Sequence, residues 1–520
     1  MLSDTITNAA RDGRIHVVVI GSGLGGLTCG AILAKQGYAV TVLEQSAQIG
    51  GCLQCFERGG VKFETGMHFI GSAGKGETIH KLFRYLEIDR HVRLSPLDSD
   101  GYDVVSLCGR RYRFPVGRDA FITRMTSYFP HQADNIRRYF SLVEHVAAAS
   151  AMHSMRYTEA NDALDMEYQL RSIDDVLGTT ITDPLLQKVL VGNLPLYAAE
   201  TKKTPFATHA FIVDFYNRGA YRIAGGSDAI ARALAATIRR YGGEVRVRQK
   251  VVSIACNDER ATHAVTADGI RTAADCFIAD THPARTLEML RTPLIRPAYR
   301  KRIAAIPQTV GCFSVYLHFK ADTVPYMNYN VYGYDSDTPW DCEKYTADDW
   351  PRGFLYMHFC HTESGNDGDE TLTPRYARAG VILSYMRYEE VARWRGTRVG
   401  RRGSDYDDFK RRKAELLLQR VEAHCPELRG NIEHYYTSTP LTYEDYTGTE
   451  RGAMYGCAKD IRLGAACRVA HRTKVPNVLQ TGQNINSHGL LGVLVGTIVT
   501  CSELVSPRRL YDDIAKANAE

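Results

Sequence analysis

Nowhere in the 520 residues does an apolar run reach the ~20 residues that a bilayer-crossing helix needs. The nearest approach, Gly489 to Val505, is short and is broken by Gly492 and Gly496. The N-terminal stretch before Arg14 is polar, without the apolar centre of a secretory signal. Strong charge of one sign is missing as well: a net charge of +5 on this length is mild and gives no basis for binding nucleic acid. The 13 cysteines are scattered and odd in number, which argues against a disulfide framework and for reduced thiols in a cytoplasmic setting. A single C-x-x-C, Cys52 to Cys55, has no second copy and no histidine pair at ligand spacing, so no metal site is expected. The two thiols read as small buried residues rather than a redox dithiol. What remains is an ordinary globular composition, 44% hydrophobic and 24% charged, on a chain too long for one core.

One stretch organises the rest, RIHVVVIGSGLGGLTCGAILAKQGYAVTVLEQSAQIGG, from Arg14 to Gly51. Ile15 to Ile20 has the β-branched character of a buried parallel strand. Gly21, Gly23 and Gly26 follow at the G-x-G-x-x-G spacing, then a helix from Leu27 to Gln36 that Gly37 ends, then a strand from Ala39 to Leu43 that delivers Glu44. Gly21 serves the tight turn, Gly23 the close approach of backbone N–H groups to a pyrophosphate, and Gly26 the packing of helix on strand. Glu44, 23 residues after Gly21, is placed to accept from an adenosine ribose. Strand, turn, helix, strand and acid in this order define a dinucleotide site. Gly50 and Gly51 come too soon for the next crossover helix and suit a loop beneath a bulky cofactor; the spacing resembles that of glutathione-reductase-like flavoproteins, which implies FAD rather than NAD.

Further along, Val61 to Gly71 predicts a strand turning at Gly66, with His68 either a satisfied core histidine or a group beside the cofactor. Phe121 to Met155 predicts one or two amphipathic helices, with an apolar face along which a lipid would pass, and Asp174 to Val191 predicts more helix. Tyr221 to Ile254 predicts a helix from Ser227 to Tyr241 and a single strand from Glu244 to Ile254, and CFIAD at Cys276 to Asp280 another buried strand. Strands are expected at Cys312 to Phe319, Phe354 to Cys360 and Val381 to Met386, and a helix at Tyr406 to His424. Thr439 to Gly456 reads as an aromatic, glycine-rich loop suited to a cavity wall. The arginines at 393, 395, 398, 401 and 402 read as a solvated face or as a contact with an anionic membrane surface. Val475 to Gln480, the turn at Gly482 and Gln483, and an apolar helix from Gly489 form a closing piece that clamps the dinucleotide from the far end of the sequence.

These marks (GSGLGGLTCGAILAKQGYAVTVLEQ, GGCLQCF, FETGMHFIG, the GGSDAIARAL block, TPLTYEDYTGTERGAMYG and TGQNINSHGLLGVLVG) resemble the phytoene desaturase and retinol saturase family of FAD oxidoreductases over nearly the full length. The cysteine after Gly50 and Gly51 is more similar to the saturase branch. The resemblance implies an α/β fold: a glutathione-reductase-like, Rossmann-type FAD-binding domain (14–85, 221–300, 466–510) with an interleaved α+β substrate domain (86–220, 301–465). It implies a cofactor-binding set of Gly21, Ser22, Gly23, Leu24, Gly25, Gly26, Glu44, Gln45, Gly50, Gly51, Cys52, Gly66, Met67, His68, Val251, Gly482, Gln483, Gly492 and Val493. It implies redox at a carbon–carbon double bond of an apolar polyene or isoprenoid, with His68, Tyr455 and His488 as candidate proton donors. NAD(P)H or another external donor would supply electrons, since no second G-x-G-x-x-G is present. Peripheral contact with a membrane fits such a substrate. A flavin amine oxidase and a polyene isomerase or lipid-binding protein are the competing readings.

Overall fold

The computed structural model describes residues 13–149, 167–360, 374–485 and 487–519. The run HVVVI forms strand His16–Ile20, with Ala39–Leu43 on one side and Cys276–Ala279 on the other, all parallel. Glu244–Arg246 and Val478–Gln480 complete a five-stranded parallel sheet at its two edges. Its central strands are Val- and Ile-rich because both faces are covered. Helix Leu24–Lys35 packs against both Asp228–Arg240 and Gly489–Cys501, and Gly37, in the left-handed region at φ +89°, ends it.

A seven-stranded sheet forms the second half, in the order 432–438, 311–319, 379–386, 353–358, 330–334, 103–107, 110–114. The two-residue period of its strands sorts the side chains into two cores. Cys312, Tyr316, Leu355, Met357, Leu383 and Tyr385 join the main core, whereas Phe313, Val315, Leu317, Tyr356 and Ile382 pack with Ala414, Leu417 and Val421 of helix Ser404–His424.

Four expectations are corrected. The predicted strand from Glu244 to Ile254 is two strands in different sheets, because Arg248 adopts φ +58° and the chain crosses the end of Ala39–Leu43, Arg248 N donating to Ser46 O and Gln249 N to Glu44 O. The insert 86–220, for which the sequence predicts only helices, also holds a hairpin, Asp103–Leu107 with Arg110–Phe114, turned at Cys108 and Gly109 with φ of +52° and +72°, the conformation of a tight hairpin turn. Pro440–Thr447 is a helix rather than a loop: proline at its first position, a Thr439–Thr442 capping box and Gly448 at its end define it. The apolar face of Phe121 to Met155 is no open passage, since Phe121, Ile136, Phe140 and Val143 are buried in the main core along helices Arg118–Tyr128 and Ala133–Ala149, and residues 150–155 lie outside the described residues.

Candidate functional site

The carboxyl ends of the parallel strands open into one cavity of about 810 Å³ that runs on to the seven-stranded sheet. At its inner end Gly21 turns the chain at φ +100°, its N–H on Leu43 O at 2.9 Å. A Cβ on Gly26 would stand 2.2 Å from Gly21 O, so the helix can approach the strand only without a side chain there. Gly23 is the N-cap, and the N–H groups of Leu24 and Gly25 have no partner among the described residues, as a helix start requires when it awaits an anion. Glu44 is fixed against this turn: Oε2 accepts from Ser22 N (2.9 Å) and Ser22 Oγ (2.7 Å), and Oε1 from Ser46 N (2.7 Å). Gly50 N donates to Ser22 O at 2.9 Å, and a Cβ on Gly51 would meet Gly23 Cα at 3.2 Å, so the glycine pair lies directly on the turn.

The cavity wall takes in Gly21, Ser22, Gly23, Leu24, Gly25, Glu44, Gln45, Gly50, Gly51, Cys52, Gly66, Met67, His68, Val251, Tyr455, Gly482, Gln483 and Val493. Three residues of the anticipated set are not on it. Gly26 and Gly492 are packing glycines, the latter with Ser487 Cβ only 2.7 Å from where its own Cβ would be. His488 stands behind Tyr455, ring centroids 4.7 Å apart, and burial, aided by Lys459, pushes its imidazole down to about 4. It is therefore a neutral ring at working pH. Asp280, absent from the anticipated set, is on the wall and bonds to Gly26 N at 2.8 Å. An acid at the carboxyl end of a central parallel strand was the signal for it.

Beyond the glycine pair the wall turns apolar. Phe69, Leu196, Tyr216, Leu355, Met357, Leu383 and Tyr385 line it. Three phenols there bond to backbone carbonyls: Tyr455 OH to Pro195 O at 3.3 Å, Tyr385 OH to Leu194 O at 3.5 Å and Tyr443 OH to Thr65 O at 3.0 Å. His68 is buried, its ring stacked on Phe359 at 5.8 Å, with Nδ1 3.5 Å from Glu64 Oε2, an ion-pair distance without hydrogen-bond alignment. Glu64 is held in turn by Ser227 N, at 3.1 Å from Oε1. Burial pushes the Cys52 thiol up to about 11 and the Cys55 thiol up to about 12, so both stay protonated. No group of three metal-ligating side chains occurs among the described residues.

A parallel sheet with a glycine-rich turn, an acid at the ribose position, a second glycine pair and an apolar chamber beyond it define an FAD-dependent oxidoreductase with separate cofactor and substrate layers. The residues present fit FAD: the open N–H groups at the helix start could hold its phosphates and Glu44 could accept from its ribose, and Gly66, Met67 and His68 line the same cavity. Residues 24–348 match the profile of the flavin containing amine oxidoreductases, and the chain belongs to that family. All-trans-retinol 13,14-reductase of Homo sapiens is 28% identical over 535 residues, spanning 96% of this chain and 87% of that protein. The chloroplastic prolycopene isomerase of Daucus carota is 24% identical, over 87% of this chain and 74% of its own length. Among solved structures, an oxidoreductase from Methanosarcina mazei superposes with a TM-score of 0.63 at 15% identity, covering 94% of this chain and 100% of that one.

Proposed function

We propose that this flavoprotein acts on a carbon–carbon double bond of an apolar polyene or isoprenoid, in the saturating direction. The observation that carries the reading is the chamber beyond the glycine pair: aliphatic side chains of two paired strands, Leu355 opposite Leu383, face it, and the phenols of Tyr385, Tyr443 and Tyr455 are engaged with carbonyls rather than open to an amine. The names of the relatives, a retinol reductase and a carotenoid isomerase, support the same substrate class.

Bound FAD supplies hydride transfer to one alkene carbon. The chain must then do the rest: hold the polyene, exclude water and deliver a proton to the other carbon. Leu196, Leu355, Met357 and Leu383 hold an apolar chain and keep the chamber dry. His68 and Tyr455 are the candidate proton donors on the wall, and the Glu64 carboxylate stands 3.5 Å from Nδ1 of His68. His488 acts through Tyr455, as packing behind the phenol. Residues 14–85, 221–300 and 466–510 serve the cofactor and 86–220 and 301–465 the substrate.

Electrons enter from an external donor such as NAD(P)H, for which the sequence holds no second glycine-rich fingerprint. Peripheral membrane contact belongs to the reading as well. Among the described residues no helix is long and apolar enough to cross a membrane. The arginine-rich loop keeps Arg398, Val399 and Arg401 exposed, whereas Arg395 and Arg402 are spent on Glu444 and Asp445. Liposome flotation tests this part, and activity on micellar substrate without any vesicle binding counts against it.

The reaction itself is tested by anaerobic photoreduction followed by stopped-flow mixing with polyenes and retinoids. Flavin reoxidation with bleaching of the polyene absorbance supports a saturase. Isomerised product with no net electron uptake assigns an isomerase instead, and peroxide release from amines assigns an amine oxidase.

A further inference from the structure

Asp280 follows strand Cys276–Ala279 and puts its carboxylate inside the glycine-rich turn. Oδ2 accepts from Gly26 N at 2.8 Å, and the Gly23 backbone lies against the same carboxylate. Glycines clear the space on three sides: a Cβ on Gly23 would lie 2.6 Å from Oδ2, one on Gly25 2.8 Å from Oδ1, and one on Gly482 2.4 Å from Oδ1. The inner part of the helix N-terminus, where a phosphate gains most from the aligned peptide dipoles, is thus already held by an anion of the chain itself.

No cationic side chain among the described residues bonds to Asp280. The groups that face it are Glu44, at the end of the strand beyond His16–Ile20, and the Cys52 thiol, from the turn at the glycine pair, and both are acids. On its own side of the cavity His282, Arg285 and Arg291 line the wall without reaching the carboxylate. Burial first, and Glu44 second, push the Asp280 carboxyl up to about 6. A pyrophosphate set down on the same helix start brings further negative charge against it.

We infer that Asp280 takes up a proton when the dinucleotide binds, so that cofactor retention is coupled to pH. Resting on the flavoprotein reading above, this follows from the shared helix N-terminus. Protonated, Asp280 turns from a competitor of the phosphates into a donor to them, while its other oxygen keeps the Gly26 N–H. The sign is definite. The bound form holds its proton to higher pH than the free form, so between the two titrations FAD affinity falls as pH rises, by at most tenfold per pH unit.

The test is titration of the FAD-free full-length protein with FAD between about pH 6 and 8.5, followed by flavin fluorescence and by calorimetry in paired buffers of different ionisation enthalpy. The expected result is a Kd that rises up to tenfold per unit, uptake approaching one proton per FAD, and a level profile in Asp280→Asn. A level profile in the wild type, or the same slope in Asp280→Asn, overturns the inference. Should the variant not fold, the proton count of the wild type decides alone: near zero overturns the inference, near one supports it. Absence of FAD binding at every pH overturns the flavoprotein reading itself, whereas binding that ignores pH overturns only the role of Asp280.

Discussion

Gly26→Ala is the sharpest perturbation of the cofactor half. The added methyl would lie 2.2 Å from Gly21 O and 3.1 Å from Asp280 Cβ. Ordinary contact needs about 3.5 Å, so helix Leu24–Lys35 must retreat from its strand by more than about 1 Å. Neither neighbour can yield cheaply, since one is backbone and the other begins a side chain fixed to the same helix. Overpacking of this kind costs about 1–3 kcal/mol, and the backbone clash puts this site at the upper end. With an unfolding entropy of ~2 cal/mol/K per residue, 520 residues turn about 3 kcal/mol into a fall in Tm of about 3 °C. Binding suffers more. The same retreat draws the Leu24 and Gly25 N–H groups off the phosphates, and one charge-assisted hydrogen bond, at ~1.5–3 kcal/mol, is a factor of roughly 10 to 150 in Kd. Gly30→Ala, in the same helix, is the control. Its methyl would meet the tip of Ile238 at 3.0 Å, a side chain that can turn away, while alanine gains about 1 kcal/mol of helix propensity. The assay is flavin content and thermal release of flavin fluorescence for the two variants side by side. Wild-type flavin content and melting in Gly26→Ala refute the reasoning. Equal losses in both variants refute it too, by making the cause general crowding of the helix.

Other expectations concern the substrate side. Glu64→Gln should lower the rate of substrate-linked flavin reoxidation about tenfold, as His68 loses the carboxylate 3.5 Å from its Nδ1. An unchanged rate in a folded variant assigns Glu64 to folding alone. Tyr455→Phe and His68→Ala should each slow the same half-reaction by roughly 10²-fold if its hydroxyl or imidazole carries the proton, and the flavin spectrum should stay near wild type. A variant with full rate excludes that residue as donor. With thiol reagent, the native protein should show one fast group, Cys108, which is exposed, with Cys52 and Cys256 slower and the ten buried cysteines silent. Fast loss of Cys55 as well would contradict its burial.

The cofactor half was legible because its constraints are local. Gly21 and Gly26 answer to a turn and a packing contact within one strand–helix unit, and each leaves its residue type in the sequence, whereas Gly23 also makes room for the Asp280 carboxylate from a later strand. What escaped was set by tertiary context. Arg248 breaks a run that reads as one strand, because the chain there is bonded across Glu44 and Ser46, far off in sequence. Pro440 to Thr447 looked like a loop because its composition is aromatic and polar, although Thr439, Pro440 and Gly448 are the caps of a short helix. Asp280 hid at the end of a strand whose apolar residues drew the attention. His488 and Gly492 sit in the right segment, but burial turns the one into a support for Tyr455 and the other into a packing residue.

The sheet order has a consequence for how the protein is made. Its central strand is finished within the first 20 residues, yet its neighbour on one side arrives only at Cys276–Ala279, and the strand that covers that neighbour only at Val478–Gln480. Until then the nascent chain leaves Cys276–Ala279 as an open apolar edge and the glycine-rich turn without its Gly482 wall. The cavity is therefore complete only once synthesis passes residue 480, and chains stalled before it should expose the edge most open to edge-to-edge association.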